Sequence, residues 1–285
     1  MEIVNSNREY KDRFFKKVFS DKRALLNLYN AVNNSDYDNP EDIEINTIED
    51  FLYMGMKNDV SFLFTDVMSL YEQQSTFNPN MPFRGFIYLA KLFEKTVYKN
   101  HDFYGSKLIR IPNPQFIVFY NGTRDEPDKR ELRLSDAFGQ TDQLKPCIEC
   151  TAIMLNINYD HNRELMEKCA ELKGYAILVG KIRAKVADLK SLDSAVDEAI
   201  DECIKDGILK EILETHRMEA RDMLFTEYDE ETHLRNVHKE GYEEGMDAIV
   251  ALYKALLDSG RLKEYERAME DRDYRLELMK EFKLS

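Results

Sequence analysis

Three polar residues in the first third of the chain have the types and spacing to bind a divalent cation. Asp59 precedes one apolar run, and Glu72 and Gln74 end a second. Side chains alternate between the two faces of a strand, so Glu72 and Gln74 share a face, and Asp59 can approach from the neighbouring strand. Buried carboxylates are costly unless a cation balances them, and Mg²⁺ prefers hard oxygen ligands. The spacing therefore predicts a magnesium site where two strands end.

The segment around these residues resembles the PD-(D/E)XK nuclease-type transposases, also called recombination-promoting nucleases. The residues that carry the resemblance are Asn58-Asp59, Glu72-Gln73-Gln74 and the tail from Ser75 to Arg84, STFNPNMPFR. Further likeness lies at residues 15–19, 114–122, 196–209 and 240–245, so the resemblance spans most of the chain.

This resemblance implies an α/β fold with a restriction-endonuclease-like core, in which helices flank a mixed central sheet, followed by an α-helical C-terminal region. It implies that Asp59, Glu72 and the Gln73 carbonyl hold Mg²⁺ or Mn²⁺, with Gln74 beside the attacking water. The first helix of such folds often donates an extra carboxylate, for which Asp12 is the nearest residue. Most of the wider superfamily has lysine where Gln74 stands, whereas the related transposase-like nucleases have glutamine. An amide can orient water but brings no positive charge.

Basic side chains on two predicted helices could contact phosphate. Arg84, Lys91 and Lys95 follow helical spacing after the Glu-x-Gln motif, and Lys16 and Lys17 lie near the start of the chain. Lys and Arg neutralise the phosphates of nucleic acids, which predicts that these five residues bind DNA. The simpler interpretation is a solvent-exposed helix surface.

The elements that must position these residues can be predicted from periodicity and turn signals. We predict strands at 43–54, 59–64, 67–74, 116–120 and 147–159, a helix at 8–33, and another that begins near 79–82. The charged stretch 125–136 is predicted to be a loop. Only helices are predicted after residue 162, with interruptions at Gly207 and at the two glycines within 240–245. The predicted domains are a nuclease-like core at 1–160 and a helical region at 161–285.

Composition restricts the function further. The chain has 285 residues, is 33% charged and has a net charge of −14, which argues against coating nucleic acid by bulk electrostatics. No apolar run approaches the ~20 residues that span a bilayer, and the N-terminus lacks a secretory signal, which predicts a cytoplasmic protein without a membrane partner.

Cys147 and Cys150 have no second pair with which to bind zinc and are predicted to be core thiols. Glycine-rich nucleotide-binding motifs are absent, so no nucleotide cofactor is expected.

The leading hypothesis is a Mg²⁺-dependent endodeoxyribonuclease that hydrolyses phosphodiester bonds in a bacterial mobile-element or recombination system. A homodimer is expected, because cutting both strands needs two sites. The alternative is a non-catalytic DNA-binding or protein-interaction module that retains a nuclease-like scaffold. Metal-assisted cleavage does not itself select the sugar, so RNA as the substrate is a third hypothesis.

Overall fold

A mixed sheet lies at the centre of the computed structural model, which describes residues 14–45, 59–96, 105–139, 145–188 and 191–284. Six strands are present in these ranges: β1 (Ile43–Ile45), β2 (Val60–Phe64), β3 (Val67–Gln74), β4 (Asn113–Tyr120), β5 (Lys129–Arg133) and β6 (Thr151–Asn156). Their order in the sheet is β1-β2-β3-β4-β6-β5. The pairs β3–β4 and β4–β6 are parallel, and the other three pairs are antiparallel. The carboxyl ends of β3, β4 and β6 therefore meet at one edge, where β5 begins.

Helices cover both faces of the sheet. The described ranges contain α1 (Phe14–Val18), α2 (Lys22–Asn33), α3 (Met81–Thr96), α4 (Arg163–Lys168), α5 (Ala170–Ala187), α6 (Leu192–Lys205), α7 (Lys210–Thr215), α8 (Arg217–Asp258), α9 (Glu264–Glu270) and α10 (Arg272–Glu281). The helix predicted at 8–33 is divided over its described part, because Asp21 caps a new helix: its carboxylate accepts hydrogen bonds from the Arg23 and Ala24 N–H groups.

Two apolar cores lie on opposite faces of the sheet. On the α5 face, Phe62, Tyr71 and Phe119 form edge-on ring contacts at centroid distances of 5.1 and 5.4 Å and pack beneath α1, α2 and α4 to α8. On the α3 face, Leu70 and Val118 belong to a smaller core beneath α3. Odd and even residues of β3 thus face different environments, as strand alternation requires.

Helix α3 approaches the sheet closely through Gly85. A Cβ atom at this position would lie 2.2 Å from a Phe116 ring carbon, a distance that no packing tolerates without a shift of the ring or helix. The missing side chain therefore sets the distance between α3 and β4.

The chain divides into two compact units, the first ending at Tyr228 and the second beginning at Asp229. Helices α4 to α7 and the start of α8 pack in the core of the α5 face, so the sheet unit extends well past the boundary predicted at residue 160. The second unit has a small core of its own, which contains Leu252, Leu256, Ala268 and Leu278. None of the helices in the described ranges is both long and apolar enough to cross a bilayer.

The α/β class, the mixed sheet flanked by helices, and the interruption at Gly207 (φ +75°) are confirmed. The predicted loop at 125–136 is wrong, because it contains β5. The predicted interruption within 240–245 is wrong as well, since α8 runs through it. Cys150 is buried as predicted, but Cys147 is exposed. Of the strand predicted at 43–54, β1 is confirmed, and 46–54 lies outside the described residues.

The close approach at Gly85 predicts that Gly85→Ala destabilises the protein by about 1–3 kcal/mol, because a methyl group overpacks the contact with Phe116. Urea unfolding measures this change as a lower midpoint at an unchanged slope.

Gly180→Ala is the matched control, since Gly180 lies within α5 and a Cβ there meets nothing within 4 Å. This change should raise stability by about 0.5–1 kcal/mol through helix propensity alone. Equal effects of the two substitutions would show that the contact does not set the position of α3.

Candidate active site

The β2–β3 hairpin places Asp59 beside Glu72. Val60 pairs with Tyr71 in the antiparallel register, so the next pair outward is Asp59 and Glu72. The Asp59 N–H donates to Glu72 Oε1 at 3.3 Å, and Asp59 Oδ2 accepts from the Gln73 N–H at 2.7 Å. Each carboxyl group thus accepts a backbone N–H from the opposite side of the hairpin, which places the two side chains close together at the carboxyl end of β3.

Glu72 is buried on the α3 face, where Arg84 pairs with it. The residue is 1% exposed, and Arg84 Nη2 lies 3.4 Å from Glu72 Oε2 and 3.3 Å from the Tyr88 hydroxyl. Burial by itself would lower the pKa of Arg84, but the Glu72 carboxylate and Tyr88 outweigh it, so the pKa is raised. Burial, and then Glu72, raise the pKa of Tyr88. Arg84 thus stays a cation and Tyr88 a neutral phenol beside Glu72.

The charges at this position suit a divalent cation. Two carboxyl groups, those of Asp59 and Glu72, lie near the Arg84 guanidinium, and a buried carboxylate is costly unless cations balance it. Groups of three or more His, Cys, Asp or Glu arranged for a metal are absent from the described residues. Mg²⁺, however, is commonly bound by one or two carboxylates, with waters and substrate phosphate completing the octahedron. Asp59 and Glu72 fit that smaller ligand set, whereas Asp12 lies outside the described residues.

Gln73 points to the opposite face and begins a buried chain of hydrogen bonds. Its Nε2 donates to Asn121 Oδ1 at 2.6 Å, and Asn121 Nδ2 donates to the Tyr175 hydroxyl at 3.1 Å. Tyr175 in turn donates to Glu227 Oε1 at 3.0 Å. All four residues are buried, and we call them the Gln73–Glu227 chain. The chain ties the end of β3 through β4 and α5 to α8.

Gln74 lies on the α3 face with Glu72, as alternation predicts, and is partly exposed. Its carbonyl accepts the Asn121 N–H at 3.1 Å, which continues the β3–β4 ladder by one bond. The amide is thus placed at the exposed rim of the site, where a water molecule can approach it.

The residues predicted to bind DNA are only partly brought together. Arg84 belongs to the site, while Lys91 and Lys95 lie farther along α3, half-buried and exposed respectively. Lys16 and Lys17 lie on α1, which packs on the opposite face of the sheet, and Lys17 forms an ion pair with Glu219 at 2.9 Å. The structure therefore does not place the α1 lysines beside Glu72.

Sequence reasoning missed Tyr175 and Glu227. Tyr175 fits the apolar stripe of its helix, and Glu227 lies in an acidic helix where a carboxylate is ordinarily on the surface. Asn121 directly follows a predicted strand, and this position was the one local signal for the Gln73–Glu227 chain. Their association depends on the packing of α5 and α8, which no spacing in the sequence reveals.

Comparisons with protein-family models, with curated proteins and with solved structures find no match for this chain. The arrangement of side chains at the end of β3 is thus the starting point for a functional interpretation.

The Gln73–Glu227 chain predicts energetic coupling between Tyr175 and Glu227. Tyr175→Phe removes a buried hydroxyl and leaves two polar partners short of a bond, so we expect a loss of about 1–3 kcal/mol. A double-mutant cycle with Glu227→Leu should give a coupling energy of about 0.5–3 kcal/mol in urea unfolding.

Tyr228→Phe serves as the control, because that hydroxyl donates instead to the Val179 carbonyl at 2.8 Å. Its effect should add to that of Tyr175→Phe. If the losses of stability caused by Tyr175→Phe and Glu227→Leu were simply additive, the two residues would not be coupled and the Gln73–Glu227 chain would be contradicted.

Proposed function

We propose that this chain is a divalent-metal-dependent endonuclease that hydrolyses phosphodiester bonds in DNA, built on a PD-(D/E)XK-type core. The observation that carries the proposal is the pair of carboxyl groups of Asp59 and Glu72, which lie opposite each other across the β2–β3 hairpin. The mixed sheet flanked by helices supports it, as does the position of Gln74 on the same face as Glu72.

In this proposal Asp59 and Glu72 hold Mg²⁺ or Mn²⁺, with the Gln73 carbonyl as a further ligand. The bound cation would lower the pKa of a water molecule and stabilise negative charge on the scissile phosphate. Gln74 orients the attacking water through its amide but cannot act as a general base, because an amide does not take up a proton near neutral pH.

Arg84 supplies the positive charge that a glutamine at position 74 lacks. Its side chain is 27% exposed and reaches Glu72 from α3, so it can interact with phosphate oxygens from the same position. A guanidinium presents a rigid set of N–H donors that matches phosphate geometry. Arg84 therefore balances Glu72 in the free protein and stabilises phosphate charge in the complex.

We extend the proposal to recombination or transposition in a mobile element on the basis of the resemblance. Two copies of the chain would be needed to cut both strands, which makes a homodimer part of the proposal.

A non-catalytic DNA-binding or protein-interaction module is the second candidate. The observation that favours it is the Arg84–Glu72 ion pair, which already satisfies much of the charge that a metal would balance. Such a module would bind nucleic acid or another partner with the same scaffold and leave the phosphodiester bonds intact.

The proposal predicts that the purified protein nicks plasmid DNA when Mg²⁺ or Mn²⁺ is added. Asp59→Asn and Glu72→Gln should each lower the rate at least about a hundredfold, because each removes a charged metal ligand. Gln74→Ala should lower it about tenfold or more through the loss of water orientation. Gel quantification of nicked and linear plasmid over time provides the measurement.

Asp66→Asn is the matched control, since Asp66 lies exposed in the turn at the other end of the same hairpin. In parallel, Mn²⁺ should raise the melting temperature of the wild type and of Asp66→Asn, but not of Glu72→Gln. Equal nicking by every variant would indicate a contaminant. DNA binding without nicking by any variant would favour the non-catalytic module.

A further inference from the structure

One row of residues crosses the sheet from Glu72 to an arginine. Glu72 pairs with Val118, Val118 with Met154, and Met154 with Arg130, across β3, β4, β6 and β5. Residues that pair directly point to the same face, so Arg130 projects to the α3 face, as Glu72 does. Three strand spacings separate the two residues, which is about 14 Å. The carboxyl edge of the sheet therefore carries a cationic residue in register with the proposed metal site.

Arg130 is one of two arginines held by a buried carboxylate. Arg124 Nε lies 2.9 Å from Glu126 Oε1, and Arg130 Nη1 lies 2.9 Å from Glu126 Oε2. The Glu126 side chain is 0% exposed, whereas the side chains of Arg124 and Arg130 are 63% and 36% exposed. Each arginine therefore pairs with a different oxygen of the same buried carboxylate. We call Arg124 and Arg130 the arginine pair.

Phe77 joins the arginine pair to the proposed active site. The centre of the Arg124 guanidinium lies 4.7 Å from the Phe77 ring centroid, and that of Arg130 lies 5.3 Å from it. Phe77 packs against the core of the α3 face and follows Gln74 by three residues, so their Cα atoms are at most about 11 Å apart. The Tyr120 hydroxyl donates to the Arg124 carbonyl at 3.0 Å, which fixes the segment that carries Arg124 to the end of β4. The arginine pair is thus preorganised.

We propose that the arginine pair binds the phosphodiester backbone of DNA beside the cleavage site, an inference that rests on the proposed nuclease function. Two guanidinium groups around one carboxylate leave one excess positive charge, and their N–H groups match phosphate geometry. One strand of B-DNA carries a phosphate every ~3.4 Å of helix axis, so about 14 Å corresponds to about four nucleotides. A strand whose scissile phosphate lies at Glu72 therefore reaches the arginine pair about four nucleotides away.

The net negative charge of the protein increases the importance of a local cationic site. With a net charge of −14, the protein as a whole repels a polyanion. A preorganised cationic site on the face of the catalytic residues therefore decides where the backbone can approach. The lysines of α1, on the other face of the sheet, do not provide that guidance.

The test is the binding of a fluorescein-labelled 20-base-pair DNA duplex, followed by anisotropy in EDTA so that no cleavage occurs. Arg124→Gln should weaken binding about three- to tenfold and reduce the slope of log K against log salt concentration by about 1. Arg133→Gln should leave both values unchanged. Arg133 is the matched control because it lies on the same strand, points to the opposite face and is 59% exposed.

Arg130 requires a different variant, because its removal alone leaves a buried carboxylate with fewer partners. Arg130→Gln combined with Glu126→Gln removes both charges together and leaves the net charge of the protein unchanged. Weaker DNA binding by this double variant, with a melting temperature close to that of the wild type, would therefore report the lost guanidinium rather than a change in total charge.

Several results would overturn the inference: wild-type affinity in both Arg124→Gln and the double variant, an equal loss in Arg133→Gln, or no binding of the duplex by the wild type. Cleavage separates this inference from the proposed function. Plasmid nicking with an unchanged KM in Arg124→Gln would contradict DNA binding by the arginine pair but still support the nuclease activity. DNA binding that depends on the arginine pair, without nicking in Mg²⁺ or Mn²⁺, would support the arginine pair as a DNA-binding site but contradict the nuclease activity.

Discussion

The antiparallel register of β2 and β3 is the constraint on which the rest of the molecule depends. It sets Asp59 opposite Glu72 and directs both to the α3 face, where Arg84 balances the buried charge. A slip of one residue would exchange Glu72 with Gln73 and place a carboxylate in the aromatic core of the other face. That core therefore favours the present register, in which the rings of Phe62 and Tyr71 are in contact.

The two faces of the sheet stabilise the site through different interactions. The α3 face carries ionic groups that reach solvent at the carboxyl edge, and the α5 face carries the neutral, fully buried link from Gln73 to Tyr175. The partly exposed guanidinium groups of the α3 face can interact with a ligand, whereas the buried hydrogen bonds of the α5 face are costly to break. The division combines an adaptable side that can meet a substrate with a rigid side that holds the strand.

Local signals were sufficient for the hairpin, because apolar runs, a two-residue turn and strand alternation together determine where Glu72 points. They were insufficient for β5, whose sequence Lys-Arg-Glu-Leu-Arg has one apolar residue and becomes a strand only by pairing with β6. The unbroken α8 shows the converse, since the cost of about 1 kcal/mol per glycine is small beside the propensity of its many flanking residues. Tyr175 and Glu227 could not be predicted, since their roles arise from long-range packing alone.

The Gln73–Glu227 chain also bears on the order in which the molecule folds. The contact between Asp59 and Glu72 spans 13 residues, whereas the three bonds of the chain close loops of 48, 54 and 52 residues in succession. Short loops close quickly and at lower entropic cost, and a chain made on the ribosome emerges from its N-terminus. The carboxyl groups of the site are thus brought close together early by their own hairpin, and α8, which supplies Glu227, is added after the strands of the sheet.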